Sequence, residues 1–275
     1  MKIGLAALAL IAVSFLGFSY LQKEPRADRS WIPEQARTAR AVIDGTITLT
    51  NVRDWTYDEN GPLSQTWTER TVDPDSIVQV WFLLEPFSDL EAIGHTFLSF
   101  EFADGTVLSF SVEALREQGE EYSALRGQFR EYELSYQWGT ERDFVTRRLI
   151  YLDHPLRLYP LTLTPEEGAL LFKALAKETN VLADHPRFYN TLSANCTNVL
   201  ATLINAHFPG ALPYDLSWNL TGLSDEYLMR EGLITQTGTV EETKARYDLT
   251  PLRAAIKEAS LEETFSRDLR SLVFE

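Results

Sequence analysis

The chain has 275 residues, of which 44% are hydrophobic and 12% aromatic, enough to fill a sizeable core. It carries 25 Lys and Arg against 40 Asp and Glu, and this net charge of −15 argues against binding to nucleic acid and against electrostatic attachment to anionic lipid. Its single cysteine, Cys196, excludes an internal disulfide and leaves a free thiol.

The amino terminus predicts a membrane location. Residues 3–21 are 19 residues without a charge, close to the length that spans the hydrocarbon of a bilayer. We interpret residues 1–22 as a signal-anchor, with a cleaved signal peptide as the alternative. After it we expect a tether over 23–44, a globular domain over 45–210, and a helical extension of the same domain over 211–275.

Strand signals dominate the region after the tether. Residues that are β-branched or aromatic and largely alternate with polar ones predict strands, and two further stretches have an extended character. The predicted strands are residues 46–50, 76–84, 94–102 and 106–113, and the further extended stretches are 129–136 and 146–152.

Helical signals are strongest in the second half of the chain. Thr164 as N-cap and Pro165 at the first helical position predict a helix that runs to about residue 180. Its expected buried residues are Leu170, Leu171, Ala174, Leu175 and Val181. Other predicted helical stretches are 33–42, 115–126, 224–231 and 252–259. Strands followed by helices predict an α+β domain, with an antiparallel sheet packed against helices.

His95 begins one strand of a predicted hairpin that turns at residues 103–105. A two-residue Asp-Gly turn would place Ser99 and Glu101 on the face of His95. A three-residue loop with a left-handed Gly105 would instead pair His95 with Glu113 and put Ser111 alongside. We favour the second register, because it gives the imidazole a carboxylate that could orient it.

Cys196 stands where a polar loop turns into an apolar-periodic helix. Asn195 is a good N-cap residue, so the thiol is expected in the first helical turn, where the helix dipole and free N–H groups favour a thiolate. We therefore interpret Cys196 as a nucleophile, with Asn195 beside it in the site. The alternative is that a lone cysteine is a small buried hydrophobic residue.

The other polar candidates have weaker arguments. His154 and His185 each stand in an Asp-His-Pro turn expected to face water, and His207 lies about three helical turns from Cys196. No pair of histidines has the spacing of metal ligands, and no nucleotide-binding motif occurs, so we expect neither a metal nor a cofactor. Candidates for phosphate or carboxylate recognition, with structural salt bridges as the alternative, are Arg53, Arg130 and Arg142.

Several ordered motifs together resemble the Lnb amino-terminal periplasmic domain, over roughly residues 45–210. The motifs are NVRDW at 51–55, GHTFLSF at 94–100, LSFSVE at 108–113, GEEYS at 119–123, FREYEL at 129–134, ERD at 141–143, FYNT at 188–191 and NCT at 195–197.

The resemblance implies a bacterial envelope protein with a permuted papain-like thiol fold, similar to NlpC-like and lecithin:retinol acyltransferase-like proteins. Members with an assigned activity are lipoprotein N-acyltransferases, which take an acyl chain from phospholipid through a cysteine thioester. On that pattern Cys196 is the nucleophile and His95 the base, with Glu113 and Ser111 expected to orient the imidazole. The expected partners are phospholipid and lipoprotein substrates, with the inner membrane bound through the amino-terminal segment. This chain lacks the carboxyl-terminal multi-helix membrane portion of such acyltransferases.

Two other functions remain open at this point. A cell-wall peptide amidase would use the same Cys-His pair with water as acceptor, and would have an open polar groove where an acyltransferase has an apolar tunnel. A non-catalytic envelope binding module would have a buried Cys196 far from His95.

Overall fold

The computed structural model describes Gly17, Tyr20 and residues 22–274. Apart from Gly17 and Tyr20, the predicted signal-anchor lies outside the described residues. Within the described part of the chain, no helix combines the length and the apolar character needed to cross a membrane.

One sheet of eight strands forms the centre of the fold. Its order is β1-β2-β7-β6-β5-β4-β8, and β3 pairs with β2 outside this path. The strands are β1 (Arg40–Asp44), β2 (Thr46–Asp58), β3 (Gly61–Val72), β4 (Ile77–Pro86), β5 (Gly94–Phe102), β6 (Val107–Leu115), β7 (Glu133–Thr140) and β8 (Arg157–Pro160).

The sheet is mixed, so the prediction of an antiparallel sheet was wrong at one place. β2 and β7 run parallel, with Arg53 opposite Gly139, whereas the other neighbours are antiparallel. The reason is that β2 is longer than its hairpin partner β1, which pairs only as far as Thr50. The edge of β2 beyond that point is available, and β7 binds there after a long connection.

Seven helices in the described chain follow or interrupt the strands. They are α1 (Glu141–Thr146), α2 (Pro165–Asp184), α3 (Cys196–His207), α4 (Ser224–Arg230), α5 (Val240–Arg246), α6 (Arg253–Ala259) and α7 (Phe265–Phe274). A π-helical turn, Arg147–Tyr151, continues α1. The α2 prediction is confirmed, including its N-cap: Thr164 accepts from the Glu167 N–H and the Glu167 carboxylate accepts from the Thr164 N–H.

Both faces of the sheet are covered. On one face Phe100 and Phe110 pack in a core with Phe172 of α2. On the other face Phe97 packs with Phe144 of α1 in a second core that also contains residues of α6 and α7. Because successive strand residues point to opposite faces, a strand buried on both sides is largely apolar, as β4 is.

Three predicted elements were wrong. Residues 33–42 form a short 3₁₀ turn, Pro33–Gln35, followed by β1, because residues 40–44 pair with β2 across a turn at Gly45. Residues 116–125 form turns and irregular backbone, because Arg116 and Gln118 bond to the backbone of Ile32 and Ser30 and so leave the helical pattern. Residues 146–152 are helical, because a helical backbone places Val145 and Leu149 on the core side, whereas a strand would alternate neighbouring residues across two faces.

Two residues of α2 also differ from expectation. Leu171, Ala174 and Leu175 are buried as predicted, whereas Leu170 and Val181 are exposed. The buried stripe of α2 lies one position away from these two, on the side of the helix that faces the sheet.

The hairpin of β5 and β6 has the predicted three-residue loop. Glu101 pairs with Val107 and Phe97 with Ser111, a register that brings Glu113 opposite His95 when it is continued. Gly105 closes the loop with φ +86°, in the left-handed region that glycine adopts without strain. The loop therefore determines which side chains lie beside His95.

Candidate active site

Cys196 is the first residue of α3 and its side chain is buried. The Asn195 side chain caps the helix by accepting from the Asn198 N–H at 2.7 Å, so the N-cap prediction is confirmed. The Asn195 amide also donates to the carbonyl oxygens of Thr191 (2.9 Å) and Trp218 (3.0 Å). Asn195 thus fixes the start of the helix and, with it, the position of the Cys196 thiol.

His95 lies at the start of β5, with Ser111 and Glu113 on the neighbouring strand. The imidazole Nε2 lies 2.7 Å from Ser111 Oγ and 3.2 Å from Glu113 Oε1. Ser111 Oγ in turn donates to Glu113 Oε1 at 2.7 Å. Because Nε2 contacts these two groups, Nδ1 is the ring nitrogen left to exchange a proton with a thiol. Ser99 and Glu101 instead bond to Ser109 and Trp81.

The His95 and Cys196 side chains line the same cavity, and each shifts the pKa of the other. Burial by itself would lower the pKa of His95, but the Glu113 carboxylate and Cys196 outweigh it and raise this pKa to about 10. Burial would raise the pKa of the Cys196 thiol, yet the bond to His95 and contacts with Thr96 hold it below its ordinary value. This pair of shifts favours a thiolate and an imidazolium.

Glu113 is hydrogen-bonded to a network of buried charged side chains. Arg148, on the π-helical turn and 2% exposed, donates to Glu113 Oε1 (3.1 Å) and to Glu85 Oε2 (2.8 Å). Glu85 also accepts from His154 Nδ1 at 2.6 Å. Burial would raise the pKa of the Glu113 carboxyl, but His95 and Arg148 hold it well below its ordinary range. Arg148 therefore keeps two buried carboxylates ionised.

Sequence reasoning missed Arg148, Glu85 and the role of His154, which is partly buried and does not simply face water. Arg148 had one signal that could have identified it, since Arg147 and Arg148 stand together inside the mostly apolar stretch 144–152. Tyr122 and Tyr189, whose hydroxyls lie 3.2 Å apart, also line the cavity, and both belong to motifs that carry the family resemblance.

Cys196 lines one cavity, and its neighbour Thr197 lines a second cavity of different character. The first, about 460 Å³, contains Cys196 and His95 and has charged and polar groups on its wall. The second, about 160 Å³, is lined mainly by apolar side chains of β4, β5, α3 and α4. A hydroxyl of Thr197 lies 4.0 Å from Cys196 Sγ and bonds to Thr96 and Ser224, and these three residues line the apolar cavity.

Of the remaining candidates, Arg53 lines the cavity that contains Cys196 and the others do not. Arg53 forms a buried pair with Asp143 at 2.6 Å, and Arg142 pairs with Asp54, so the salt-bridge alternative describes both. The Arg130 guanidinium lies over the ring of Phe188, and His185 and His207 are exposed. Among the residues that the structure describes, no group of three or more His, Cys, Asp or Glu is arranged to hold a metal ion.

The raised pKa of His95 and the lowered pKa of Cys196 predict how the thiol reacts with pH. The thiolate is lost only as the pH falls through the lowered pKa of Cys196, and the imidazolium is lost only as the pH rises through about 10. The pH dependence of Cys196 alkylation by iodoacetamide should therefore have its inflection below the ordinary thiol pKa of about 8.5. Glu113→Gln, which removes the carboxylate that raises the pKa of His95, should move the inflection upward. An inflection at or above 8.5 in the unaltered protein would contradict the ion pair.

Comparison with protein families gives one match. Residues 64–221, more than half of the chain, match the family described as the Lnb N-terminal periplasmic domain. The comparison with curated proteins gave no match, and neither did the comparison with solved structures. The matched range contains His95, Ser111, Glu113, Asn195 and Cys196, and the description of the family supports a periplasmic location. The chain therefore belongs to the Lnb N-terminal periplasmic domain family.

Proposed function

We propose that the chain is a membrane-anchored periplasmic cysteine acyltransferase that acts through a thioester on Cys196. We propose further that it N-acylates lipoproteins, with phospholipid as the acyl donor. The observation that carries the proposal is that Cys196 and His95 line one cavity, with Glu113 bound to the imidazole and an apolar cavity lined by Thr197, the residue next to the thiol.

In the first half of the reaction, the Cys196 thiolate attacks the ester carbonyl of the donor. A carbon–sulfur bond forms, the ester carbon–oxygen bond breaks, and His95 gives its proton to the departing alcohol oxygen. In the second half, the acceptor amine attacks the thioester, His95 takes its proton, and the thiolate leaves as the amide forms. Backbone N–H groups of the first turn of α3 are suited to hold the oxyanion in both halves.

The apolar character of this cavity favours an acyl chain over a polar peptide as the substrate group that binds there. Leu200, Ile204 and Leu228 contribute to its lining, and the Thr197 hydroxyl stands between it and Cys196 Sγ. An alkyl chain attached to the sulfur would leave water for this cavity, which is favourable in proportion to the apolar surface removed.

The order of the two reactive residues also supports a permuted papain-like arrangement, with a strand-borne histidine before a helix-borne cysteine. We retain residues 45–210 as the thiol domain. Residues 211–275 are retained as its extension, because Leu249 and Phe265 share a core with Phe97. We also retain residues 1–22 as the inner-membrane anchor and 23–44 as the connecting segment, whose last five residues form β1 of the sheet.

A thiol amidase or hydrolase acting on cell-wall peptide or lipid is the alternative function. The observation in its favour is the polar wall of the first cavity, where His154, Arg147 and Asn219 could bind a peptide. Such an enzyme would use water as the acceptor and would have no use for the apolar cavity.

The test is acyl transfer in vesicles that contain phospholipid and a diacylated lipopeptide with a free amino terminus. Mass spectrometry should detect an acyl adduct on Cys196 and N-acylated lipopeptide. Ile204→Trp, which adds side-chain volume to a cavity of only about 160 Å³, should reduce adduct formation from a long-chain donor by about tenfold or more. The adduct from a short acyl thioester should form at the usual rate.

Thr202→Trp is the matched control, because residue 202 lies on the exposed side of the same helix. It should leave both rates unchanged. Release of free fatty acid or cleavage of a muropeptide, with no acylation of the amine, would reject the transferase and support the hydrolase.

A further inference from the structure

Large apolar side chains are exposed on three loops around the mouth of the cavity that contains Cys196. Each of them is between 41% and 72% exposed. Scattered exposed leucines are ordinary on a soluble domain, but a cluster around a cavity indicates a surface that binds something. The cluster, here called the apolar rim, consists of Leu125, Phe129, Leu192, Tyr214, Leu216 and Leu220.

The first two loops of the rim are bonded into one surface. Thr191 donates through its hydroxyl to the Ala124 carbonyl at 2.8 Å and through its N–H to the Gly127 carbonyl at 3.3 Å. A Cβ atom at residue 127 would lie 2.4 Å from Thr191 Oγ1, so the loops approach this closely only because residue 127 is glycine. Leu125, Phe129 and Leu192 are therefore presented together.

The third loop is attached to the catalytic helix. Asn195 and Asn198 both donate to the Trp218 carbonyl, at 3.0 and 2.7 Å, which holds residues 214–220 against the start of α3. Leu192 and Leu220 also line the cavity that contains the thiol. The apolar rim is thus continuous with the wall of that cavity.

The chain enters the domain at the same side. The Arg130 guanidinium lies 5.1 Å from the ring centre of Tyr20, and Arg130 directly follows Phe129 of the rim. Tyr20 belongs to the uncharged stretch at residues 3–21. Tyr20 therefore lies next to the segment that carries Phe129 of the rim.

We propose that the apolar rim is a membrane-docking surface, whose side chains enter a lipid bilayer so that the cavity of Cys196 opens onto it. A net charge of −15 gives the domain no general attraction to an anionic membrane, so insertion of apolar side chains is the contact available. Docking would deliver a lipid-borne carbonyl to the thiol without exposing the alkyl chain to water. The inference does not depend on which reaction Cys196 performs.

The test uses the full-length protein in vesicles of phosphatidylethanolamine and phosphatidylglycerol. In a Cys196→Ser background, Phe129→Cys, Leu192→Cys and Leu216→Cys would each carry a nitroxide spin label. Collision with oxygen, which concentrates in the bilayer, and with a water-soluble nickel chelate would be measured at each position. We expect the oxygen-to-nickel ratio at the rim to exceed that of the controls by several fold.

The controls are Leu63→Cys and Leu261→Cys, which are 64% and 79% exposed on the unaltered protein and lie away from the rim. Spin labels at these two positions should collide readily with the water-soluble nickel chelate, as expected for side chains in water. Rim labels as accessible to nickel as these controls would overturn the proposal. Rim labels shielded from both reagents, with dipolar broadening between copies, would overturn it in favour of a contact between two chains.

Discussion

Replacing Cys196 with serine should reduce acyl transfer by roughly a thousandfold or more, because a serine hydroxyl is far less ionised than a thiol and His95 is tuned to a thiol. His95→Ala should lower the rate by about 10² to 10⁴, the usual contribution of a positioned acid–base group. Both rates would be measured by N-acylation of a diacylated lipopeptide in phospholipid vesicles. Neither variant should alter the far-ultraviolet circular dichroism spectrum.

His185→Ala is the matched control for the imidazole. His185 is exposed just after α2, so its loss should leave both transfer and stability unchanged. A Cys196→Ser variant that retains full transfer would reject the thioester mechanism. A His95→Ala variant that keeps full transfer would assign the base to another residue of the cavity, for which His154 is the structural candidate.

Replacing Arg148 with methionine should destabilise the protein by about 3–5 kcal/mol, the range observed when one partner of a buried ion pair is removed. The change leaves the Glu85 and Glu113 carboxylates buried without the guanidinium that joins them. Because Arg148 helps to lower the pKa of Glu113, its loss should raise that pKa and weaken the support of His95. Urea unfolding would measure the stability, and the pH dependence of Cys196 alkylation would measure the effect on the pair.

Arg230→Met is the control for Arg148. Arg230 pairs with Asp215 at the surface, with more than half of its side chain exposed, so its removal should change stability by less than about 1 kcal/mol. Adding Glu85→Gln to Arg148→Met should restore part of the lost stability, because it removes one of the two uncompensated charges. Equal urea midpoints for Arg148→Met and the unaltered protein would show that the network does not stabilise the fold.

The local features of the site could be predicted from the sequence. The Asp-Gly pair at 104–105 suits both a two-residue and a three-residue loop, and the structure has the favoured three-residue loop, which places Glu113 beside His95. Asn195 predicted the start of α3 in the same way, because the cap and the N–H that it satisfies are three residues apart. Both features depend on backbone geometry within a few residues, which one sequence contains completely.

The failures have a common cause in contacts between distant segments. Residues 115–126 were assigned helical potential, but part of their backbone bonds to residues 30–32, about 85 positions earlier along the chain. Residues 146–152 looked extended because of their β-branched side chains, and the requirement to bury Val145 and Leu149 on one side overrides that preference. Local propensity is a weak term that tertiary packing can reverse.

The sequence by itself indicated the candidate pair and its order, narrowed the hairpin to two registers and predicted the helix cap, because turn and cap chemistry acts over a few residues. The tertiary structure alone decided the environment of that pair. Arg148 joins carboxylates that stand 63 and 35 residues away in the chain, and no spacing rule selects them from the other acidic residues. The same holds for the apolar cavity and the apolar rim, which exist only where separate loops and helices are brought together, since burial is a property of the folded chain and not of any one segment.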